Sequence, residues 1–234
     1  MPENYRALIV VLMLSLAVFW GTERALAGTH IAVEDLRRRR NLWLAVSCLA
    51  FLSNNYWIFI LASAVVVIFG RTKEENSLAM FLGLAFVVPE ISGKISGLGI
   101  VNFLVEINFL RLLSFLVLFP AYLVLRRRPE TPKYGSILTD KLLLGFILVL
   151  FMVRLRETTF TDAIRGGVIY PFLELFLPYY VASRAYLNRR HYREAIVALV
   201  ISTFVLSAIA IFEFSKKWLL YHSLGSSLAG ADPW

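Results

Sequence analysis

The chain has 234 residues, of which 59% are hydrophobic and 17% are charged, whereas ordinary soluble domains have roughly 45–50% apolar and about 25% charged residues. A soluble fold of this composition would expose large apolar patches, so an ordinary soluble enzyme is excluded and a polytopic membrane protein is predicted. The net charge of +8 lies beside apolar runs, a placement that the positive-inside rule explains better than nucleic-acid binding does. Cys48 is the one cysteine, so the sequence offers no internal disulfide.

Seven apolar runs follow one another along the chain. They span residues 7–20, 42–70, 77–88, 109–125, 142–155, 168–187 and 195–214. A straight helix needs about 20 apolar residues to cross the hydrocarbon core, with a lower limit near 17. The pattern predicts an all-α helical bundle of about seven or eight membrane segments, in a single transmembrane domain over residues 1–234.

The run 42–70 is too long for one upright helix. Its 29 residues would extend about 43 Å at 1.5 Å per residue, against a hydrocarbon core of about 30 Å. Asn54 and Asn55 lie in its middle, and asparagine favours turns over helix interiors. We therefore predict two helices, 42–53 and 56–70, that form a hairpin with its tip at Asn54-Asn55, although each is short for a complete crossing.

The hairpin places the basic clusters on one side of the membrane, where cytoplasmic loops carry an excess of Lys and Arg. With it, 16 of the 24 Lys and Arg residues lie inside and 8 lie outside, whereas a single span at 42–70 scatters them. The predicted topology has eight membrane segments, with the N-terminus outside and the C-terminus ending on the outer face. The inner residues are Arg24, Arg37 to Arg40, Arg71, Lys73, Arg126 to Arg128, Lys133, Lys141, Arg184, Arg189, Arg190 and Arg193.

The first apolar run has a second interpretation as a signal peptide. Residues 7–19 are followed by Ala25-Leu26-Ala27, which fits a cleavage site before Gly28. A signal peptide requires a positively charged N-terminal region, and Glu3 in that region disfavours this interpretation. Cleavage would also leave the four arginines 37–40 on the outer side of the membrane. We therefore predict a retained membrane helix, which N-terminal sequencing that found Gly28 first would exclude.

No soluble catalytic signature is present in the sequence. It has no GxGxxG, P-loop, HExxH or CxxC motif, and its three histidines are scattered, so we predict neither a metal site nor a cofactor. Glu174 is a candidate because a carboxylate within an apolar span is costly unless it is paired or faces water. Pro171 and Pro178 flank it, and each proline bends a helix and frees a carbonyl. This segment either lines a cavity or holds a structural glutamate paired with an arginine, and the sequence favours neither.

Six cations are predicted on the outer face, against the positive-inside bias. They are Arg111, Arg154, Arg156, Arg165, Lys216 and Lys217. One interpretation is a pocket for an anion at the outer leaflet, such as a lipid-linked pyrophosphate, because the arginine fork binds phosphate oxygens in a bidentate manner. The other is that each side chain simply snorkels to the interface, as Arg and Lys at helix ends commonly do. For any single one of these residues snorkelling is the favoured interpretation, whereas for the six taken together the anion pocket is slightly favoured.

The segment 215–224 mixes cations with bulky apolar side chains. Trp218 and Tyr221 are residue types that favour the lipid headgroup level. The pattern predicts a short interfacial amphipathic helix on the outer face.

Five stretches resemble the N-terminal half of the O-antigen ligase and O-antigen polymerase superfamily, and among its members the exosortase-associated O-antigen ligase-like proteins. The stretches are DLRRRRNLWL (35–44), ISGLGIVNF (95–103), RETTFTDAIR (156–165), FLPYYVASR (176–184) and IAIFEFSKKWLLY (209–221). The resemblance implies a GT-C-like bundle in the bacterial inner membrane. It also implies metal-independent transfer of a glycan from undecaprenyl diphosphate at the periplasmic face, with a donor-binding role for Arg156 and Arg165.

The resemblance also implies a longer parent protein, because family members carry a large catalytic periplasmic loop after the stretch that corresponds to residue 234. On this interpretation the parent is the glycosyltransferase and these residues alone are inactive. Its partners would be the undecaprenyl-linked glycan, membrane lipids and envelope polysaccharide assembly proteins, and not nucleic acid. Two alternatives remain. One is a transporter or flippase subunit, suggested by Glu174, and the other is a non-catalytic component of a polysaccharide assembly system.

Overall fold

The structure, a computed structural model, is a helical bundle with a small antiparallel β-hairpin at one end; it is 79% helical and describes residues 3–26, 33–97, 103–185 and 189–228. The first elements are α1 (Glu3–Ala25), α2 (Val33–Leu52), α3 (Tyr56–Arg71), α4 (Ser77–Leu84), β1 (Ser92–Ser96) and β2 (Phe103–Asn108). They are followed by α5 (Phe109–Arg127), α6 (Leu138–Glu157), α7 (160–185), α8 (Arg189–Lys216) and α9 (His222–Leu228).

The helix break predicted at Asn54-Asn55 is confirmed. Helix α2 ends at Leu52 and α3 begins at Tyr56. Asn55 has an extended backbone, and its side-chain oxygen accepts the backbone N–H groups of Trp57 and Ile58, which is the N-cap role that asparagine favours. The two helices pack against each other as a hairpin.

Three of the described helices are long and apolar enough to cross a membrane, namely α1, α5 and α8. Helix α6 is also 20 residues long, and its only buried residue is Asp140, so its apolar side chains form an outer surface of the bundle. Helix α4 differs from its prediction, because its eight residues extend only about 12 Å and cannot cross a core of about 30 Å as a helix. A topology of eight membrane segments thus remains a prediction.

Helix α4 lies in the interior, packed against α8. Gly83 and Ala198 allow the two helices to approach closely, and the Ser202 hydroxyl lies 2.9 Å from the carbonyl oxygen of Gly83. Asn76 caps α4 by accepting the N–H of Ala79, and its amide donates to the carbonyl of His191 at the start of α8. One asparagine side chain therefore fixes the starts of both helices.

The prolines are accompanied by π-helical turns. Such a turn occupies Ser114–Leu118 just before Pro120, and two more, Arg165–Ile169 and Phe172–Phe176, lie on either side of Pro171. Proline has no N–H to donate to the carbonyl four residues earlier. For Pro120 that carbonyl belongs to Leu116, and Arg71 donates to it instead at 3.0 Å.

The β-hairpin is seated on the start of α3. Strands β1 and β2 pair with Ser92 opposite Asn108 and Lys94 opposite Glu106. The Tyr56 hydroxyl donates to the carbonyl of Ile107. A Cβ at Gly93 would lie 2.4 Å from the Tyr56 ring, so only glycine fits there. Residues 98–102, which include part of the resembling stretch 95–103, lie outside the described residues.

We call the part of the bundle that holds the predicted inner Lys and Arg residues the basic end, and ion pairs join several of its segments. Arg39 links three of the chain segments, since its Nη2 lies 2.6 Å from Glu74 Oε1 and 3.8 Å from Glu194 Oε2. The Arg184 guanidinium forms an ion pair with Asp140 at 2.8 Å, and both side chains are 0% exposed. The opposite part, with the β-hairpin, is called the hairpin end.

The interfacial helix predicted over 215–224 has different bounds. Helix α8 continues to Lys216, and the following helix starts at His222. Lys217 has a φ of 48°, and the N–H of Trp218 donates to the carbonyl of Glu213 at 3.3 Å, which is the helix-ending Schellman arrangement. The Glu213 carboxylate also accepts the N–H of Leu220, so residues 217–221 form turns and not a helix.

Candidate functional site at the hairpin end

Arg111 and Glu174 form an ion pair at the hairpin end. Arg111 Nε donates to Glu174 Oε1 at 2.7 Å, and Arg111 Nη1 donates to the carbonyl of Glu106 at 2.6 Å. The guanidinium also lies 3.6 Å from the centre of the Tyr170 ring, within the range of a cation–π contact. The charge of Arg111, one of the six cations of the predicted anion pocket, is therefore neutralised by the Glu174 carboxylate.

Arg165 is buried within the protein. Only 6% of the residue is exposed, and its guanidinium donates to the carbonyl of Phe103 and to the carboxylate of Asp162. It also stacks on the Phe103 ring. Since these contacts join α7 to the β-hairpin, Arg165 positions that hairpin, and its predicted donor-binding role would require these contacts to change.

Arg154 and Arg156 are the exposed cations at the end of α6. In the described part of the chain neither has an ion pair. Arg154 lies beside Gly166, with its Nε 3.5 Å from the position of a Cβ there. Gly167 contacts the backbone of Phe151, where a Cβ would be 2.8 Å from the Phe151 Cα, so the two glycines let α6 and α7 approach closely.

Lys216 and Lys217 are also exposed, but they lie at the end of α8, which packs against α1 and α4. The six predicted cations thus form three groups. Arg111 and Arg165 are held by acids and carbonyls, Arg154 and Arg156 are exposed on α6, and the two lysines stand on another helix.

A cavity of about 490 Å³ lies at the hairpin end, between α7, α8 and the segment that follows α4. Its volume falls within the range of roughly 300–1,000 Å³ that is usual for small-molecule sites. Its apolar wall includes Phe86, Val88, Phe109, Leu110 and Leu206. Glu174 also lines it, so both interpretations of this residue hold: it is paired with an arginine and it faces a cavity.

Three further polar residues line the cavity. Asn108 is buried and caps α5, with its Oδ1 accepting the N–H of Arg111 at 2.7 Å. Glu90 follows Pro89 and is exposed. The Tyr221 hydroxyl is buried, and no described group is within hydrogen-bonding distance of it. Leaving a buried hydroxyl unpaired costs about 1–3 kcal/mol, and the partly exposed part of Tyr221 that lines the cavity is its ring.

Sequence reasoning did not find Asn108, Glu90 or the cavity role of Tyr221. Asn108 carries a weak signal, because an asparagine just before an apolar run is typical of an N-cap. Tyr221 was predicted to be an interfacial anchor, since nothing in the local pattern shows that turns follow the end of α8 at Lys216 and bring Tyr221 to the cavity wall. Glu90 has no sequence signal at all.

Two groups near the site have shifted pKa values. The Thr159 hydroxyl and then the Arg165 guanidinium donate to Asp162 and lower the pKa of its carboxyl. Burial raises the pKa of the Tyr221 hydroxyl well above its ordinary value, and the charge of Glu213 adds to the effect. Tyr221 is therefore a neutral hydrogen-bonding group at physiological pH and not an anion.

At the basic end the buried acids are structural. Arg184, Tyr179 and the N–H of Gly135 all donate to Asp140, and the hydrogen bonds from Arg184, the largest cause, hold the pKa of Asp140 well below its usual range. Among the described residues, no group of three or more His, Cys, Asp or Glu side chains could hold a metal ion.

Comparison with known proteins gives no family for this fold and site. No protein-family model matches the chain, and neither a curated protein nor a solved structure matches it. The three apolar helices indicate a membrane protein, which is the class that the fold supports.

Proposed function

We propose that the chain is part of a multi-pass enzyme of the bacterial inner membrane that transfers a glycan from undecaprenyl diphosphate at its hairpin end. In this proposal the bundle is GT-C-like, has about seven or eight membrane segments, and has its basic end in the cytoplasm. The excess of Lys and Arg at the basic end supports this orientation. The resemblance of five sequence stretches to O-antigen ligases supports the reaction class.

The observation that carries the proposal is the position of two exposed arginines relative to the cavity. Arg154 contacts Gly166 on α7, and Glu174 lines the cavity eight residues further along the same helix, about 12 Å away at 1.5 Å per residue. Arg154 and Arg156 suit a diphosphate, because a guanidinium stays charged and binds phosphate oxygens in pairs. Stabilising a leaving diphosphate is the chief electrostatic task of such a reaction.

Binding of undecaprenyl diphosphate to the chain in phosphatidylcholine nanodiscs tests the proposal. We expect R154E/R156E to weaken binding at least about tenfold, since each charge-assisted contact contributes about 1.5–3 kcal/mol. The matched control is R126E/R127E, which reverses two exposed arginines at the basic end and should leave binding unchanged. Equal binding by both double variants would exclude the arginines of α6 as the diphosphate site.

One observation favours a transporter as a second candidate. Glu174 lies in a π-helical turn next to Pro171, and π-helical turns are frequent at functional sites. Its ion pair with Arg111 counts against a role as a proton carrier, because the carboxylate is already engaged. Proton-coupled uptake that is lost in Glu174→Gln would favour this candidate over glycan transfer.

A further inference from the structure

Helix α6 is exposed on most of its surface, but its uncharged stretch is short for a membrane helix. Leu142 and Met152 are 63% and 64% exposed, as expected of side chains that face lipid. Twelve residues, 142–153, separate the exposed Lys141 from the exposed Arg154, and they extend about 18 Å. The hydrocarbon core of a bilayer is about 30 Å thick, so α6 cannot match it unless both terminal side chains reach outward.

The Arg154 side chain does not reach outward. Helices α6 and α7 run antiparallel, since a buried ion pair joins the start of α6 to the end of α7. A Cβ on Gly167 would lie 2.8 Å from the Phe151 Cα, so these two residues are level, and Gly166 is then level with residue 152. The Arg154 Nε lies 3.5 Å from the position of a Cβ on Gly166. The Arg154 guanidinium is therefore closer to the middle of the membrane than its own Cα, in the direction in which helical side chains lean.

Lys141 can recover only part of the missing length. Its side chain leans toward the start of α6, and so away from the middle of the membrane, and its stem adds at most about 6 Å. From the Lys141 ammonium to the level of residue 152, the helix then covers roughly 23 Å. Tilting α6 would shorten its projection further, and sliding it along α7 is prevented by the buried ion pair at one end and the glycine contact at the other. The α6 face thus fits a hydrocarbon core about 7 Å thinner than the usual one.

Helix α8 has the opposite property. Its exposed cations Arg193 and Lys216 are 23 residues apart, which corresponds to about 34 Å. Phe204 and Ile211 between them are 60% and 70% exposed. Helix α8 therefore fits a core of ordinary thickness with a slight tilt, and the two helices of one molecule require different bilayer thicknesses.

We propose that the protein thins the bilayer beside α6, mainly in the leaflet at the hairpin end, so that lipid headgroups lie near the level of Met152. Thinning a bilayer has a modest cost per ångström, whereas a guanidinium in hydrocarbon is expensive, so the lipid adapts to Arg154. The phosphates of the surrounding lipids then come within reach of Arg154 and Arg156. This property goes beyond the proposed function and does not depend on it, because it requires only that α6 faces lipid.

The depth of a fluorophore on α6 tests the proposal directly. In a Cys48→Ser background, the dye NBD is attached to Met152→Cys or, as a matched control, to Val200→Cys in the uncharged stretch of α8. Both positions are exposed, and each lies four to five residues from the midpoint between the flanking cations of its helix. In dioleoyl phosphatidylcholine vesicles, we expect a nitroxide at the headgroup to quench the Met152 label at least about twofold more than a nitroxide near the chain end does. The Val200 label should show the reverse order.

The dependence of stability on bilayer thickness is the second measurement. The melting temperature is followed in phosphatidylcholines whose monounsaturated chains have from fourteen to twenty-two carbons. We expect the wild-type maximum at fourteen or sixteen carbons and a melting temperature lower by about 5 °C or more at twenty-two. Because Asp140 is buried, K141L/R154L lengthens the lipid-facing apolar stretch of α6 to residues 138–155, about 27 Å. This variant should move the maximum to eighteen carbons or more.

The control variant K133L/R156L also replaces one exposed lysine and one exposed arginine. It leaves Lys141 and Arg154 in place, so it should keep the wild-type maximum. A maximum that both double variants move equally would contradict the proposal, because the change would then follow from added hydrophobicity alone.

Two further results would overturn the proposal. Stronger quenching of the Met152 label by the deep nitroxide would show that Arg154 turns outward and that the bilayer keeps its thickness. A wild-type maximum at eighteen carbons or more would show the same. If K141L/R154L does not fold, the two labels still decide. None of these measurements uses a diphosphate, so failure here is distinct from failure of R154E/R156E to lose diphosphate binding.

Discussion

The two ends of the bundle differ in how their charges are neutralised. The basic end has sixteen Lys and Arg residues and eight Asp and Glu residues, whereas the hairpin end has eight Lys and Arg residues and seven acids among the described residues. The net charge of +8 is therefore carried almost entirely by the basic end. At the hairpin end, two arginines for which the sequence pattern showed no acidic partner are paired with acids in the structure. Glu174 pairs with Arg111, and Asp162 pairs with Arg165.

The most buried ion pair of the basic end and the cavity-lining pair of the hairpin end differ in burial. At the basic end Asp140 and Arg184 are 0% exposed, and Arg39 with Glu74 is nearly so. At the hairpin end the side chains of Arg111 and Glu174 are 12% and 31% exposed. A fully buried pair leaves no polar atom accessible to a ligand, whereas this partly exposed pair beside a cavity does. The basic end thus fixes the helices, and the hairpin end is available for chemistry.

The largest expected effect concerns the side of the membrane on which each end lies. In a Cys48→Ser background, we expect Lys94→Cys at the hairpin end to react with a membrane-impermeant maleimide in intact cells. Lys133→Cys at the basic end is its matched control, since both lysines are exposed, and should react only after permeabilisation. The positive-inside rule gives this direction, and reaction of Lys133→Cys in intact cells would reverse the orientation.

The next largest effect is expected at the buried pair of the basic end. Asp140→Leu leaves the Arg184 charge buried and unpaired, so we expect a loss of about 3–5 kcal/mol in the free energy of unfolding. Unfolding in mixed micelles, followed by circular dichroism, measures this loss. The double variant D140L/R184M should recover a large part of it, because the uncompensated charge is then gone.

Arg37→Ala is the control for that measurement. Arg37 belongs to the same basic end, but its side chain is 59% exposed and lies 3.8 Å from Glu23, so its loss should cost at most about 1 kcal/mol. If Arg37→Ala and Asp140→Leu lowered the free energy of unfolding equally, burial would not explain which charged residues at the basic end stabilise the fold.

Particular elements show what the sequence could and could not predict. The break at Asn54-Asn55 was predictable because asparagine caps helices locally, and the resulting hairpin brings Arg38 and Arg39 of α2 next to Lys73 and Glu74 after α3. The short length of α4 was not predictable from the sequence, because the position of its end depends on packing against α8 and on the β-hairpin that follows. Glu174 was recognised as costly in a membrane, but its partner Arg111 is 63 residues away, and no periodicity predicts such a pairing.

The smallest effect is expected for the partly exposed pair of Arg111 and Glu174 at the hairpin end. Glu174→Ala should destabilise the protein by only about 1 kcal/mol, because the Glu174 side chain is 31% exposed and the remaining Arg111 keeps its hydrogen bond to the carbonyl of Glu106 and its contact with the Tyr170 ring. Unfolding under the same conditions as for Asp140→Leu measures the contrast between the two ends. If Glu174→Ala lost as much free energy of unfolding as Asp140→Leu, Glu174 would be a structural acid like Asp140. The ion pair of the hairpin end would then be needed for folding and not for binding a ligand. A small loss would mean that the fold does not depend on Glu174, so that this carboxylate in the cavity wall can bind a ligand at little cost to stability.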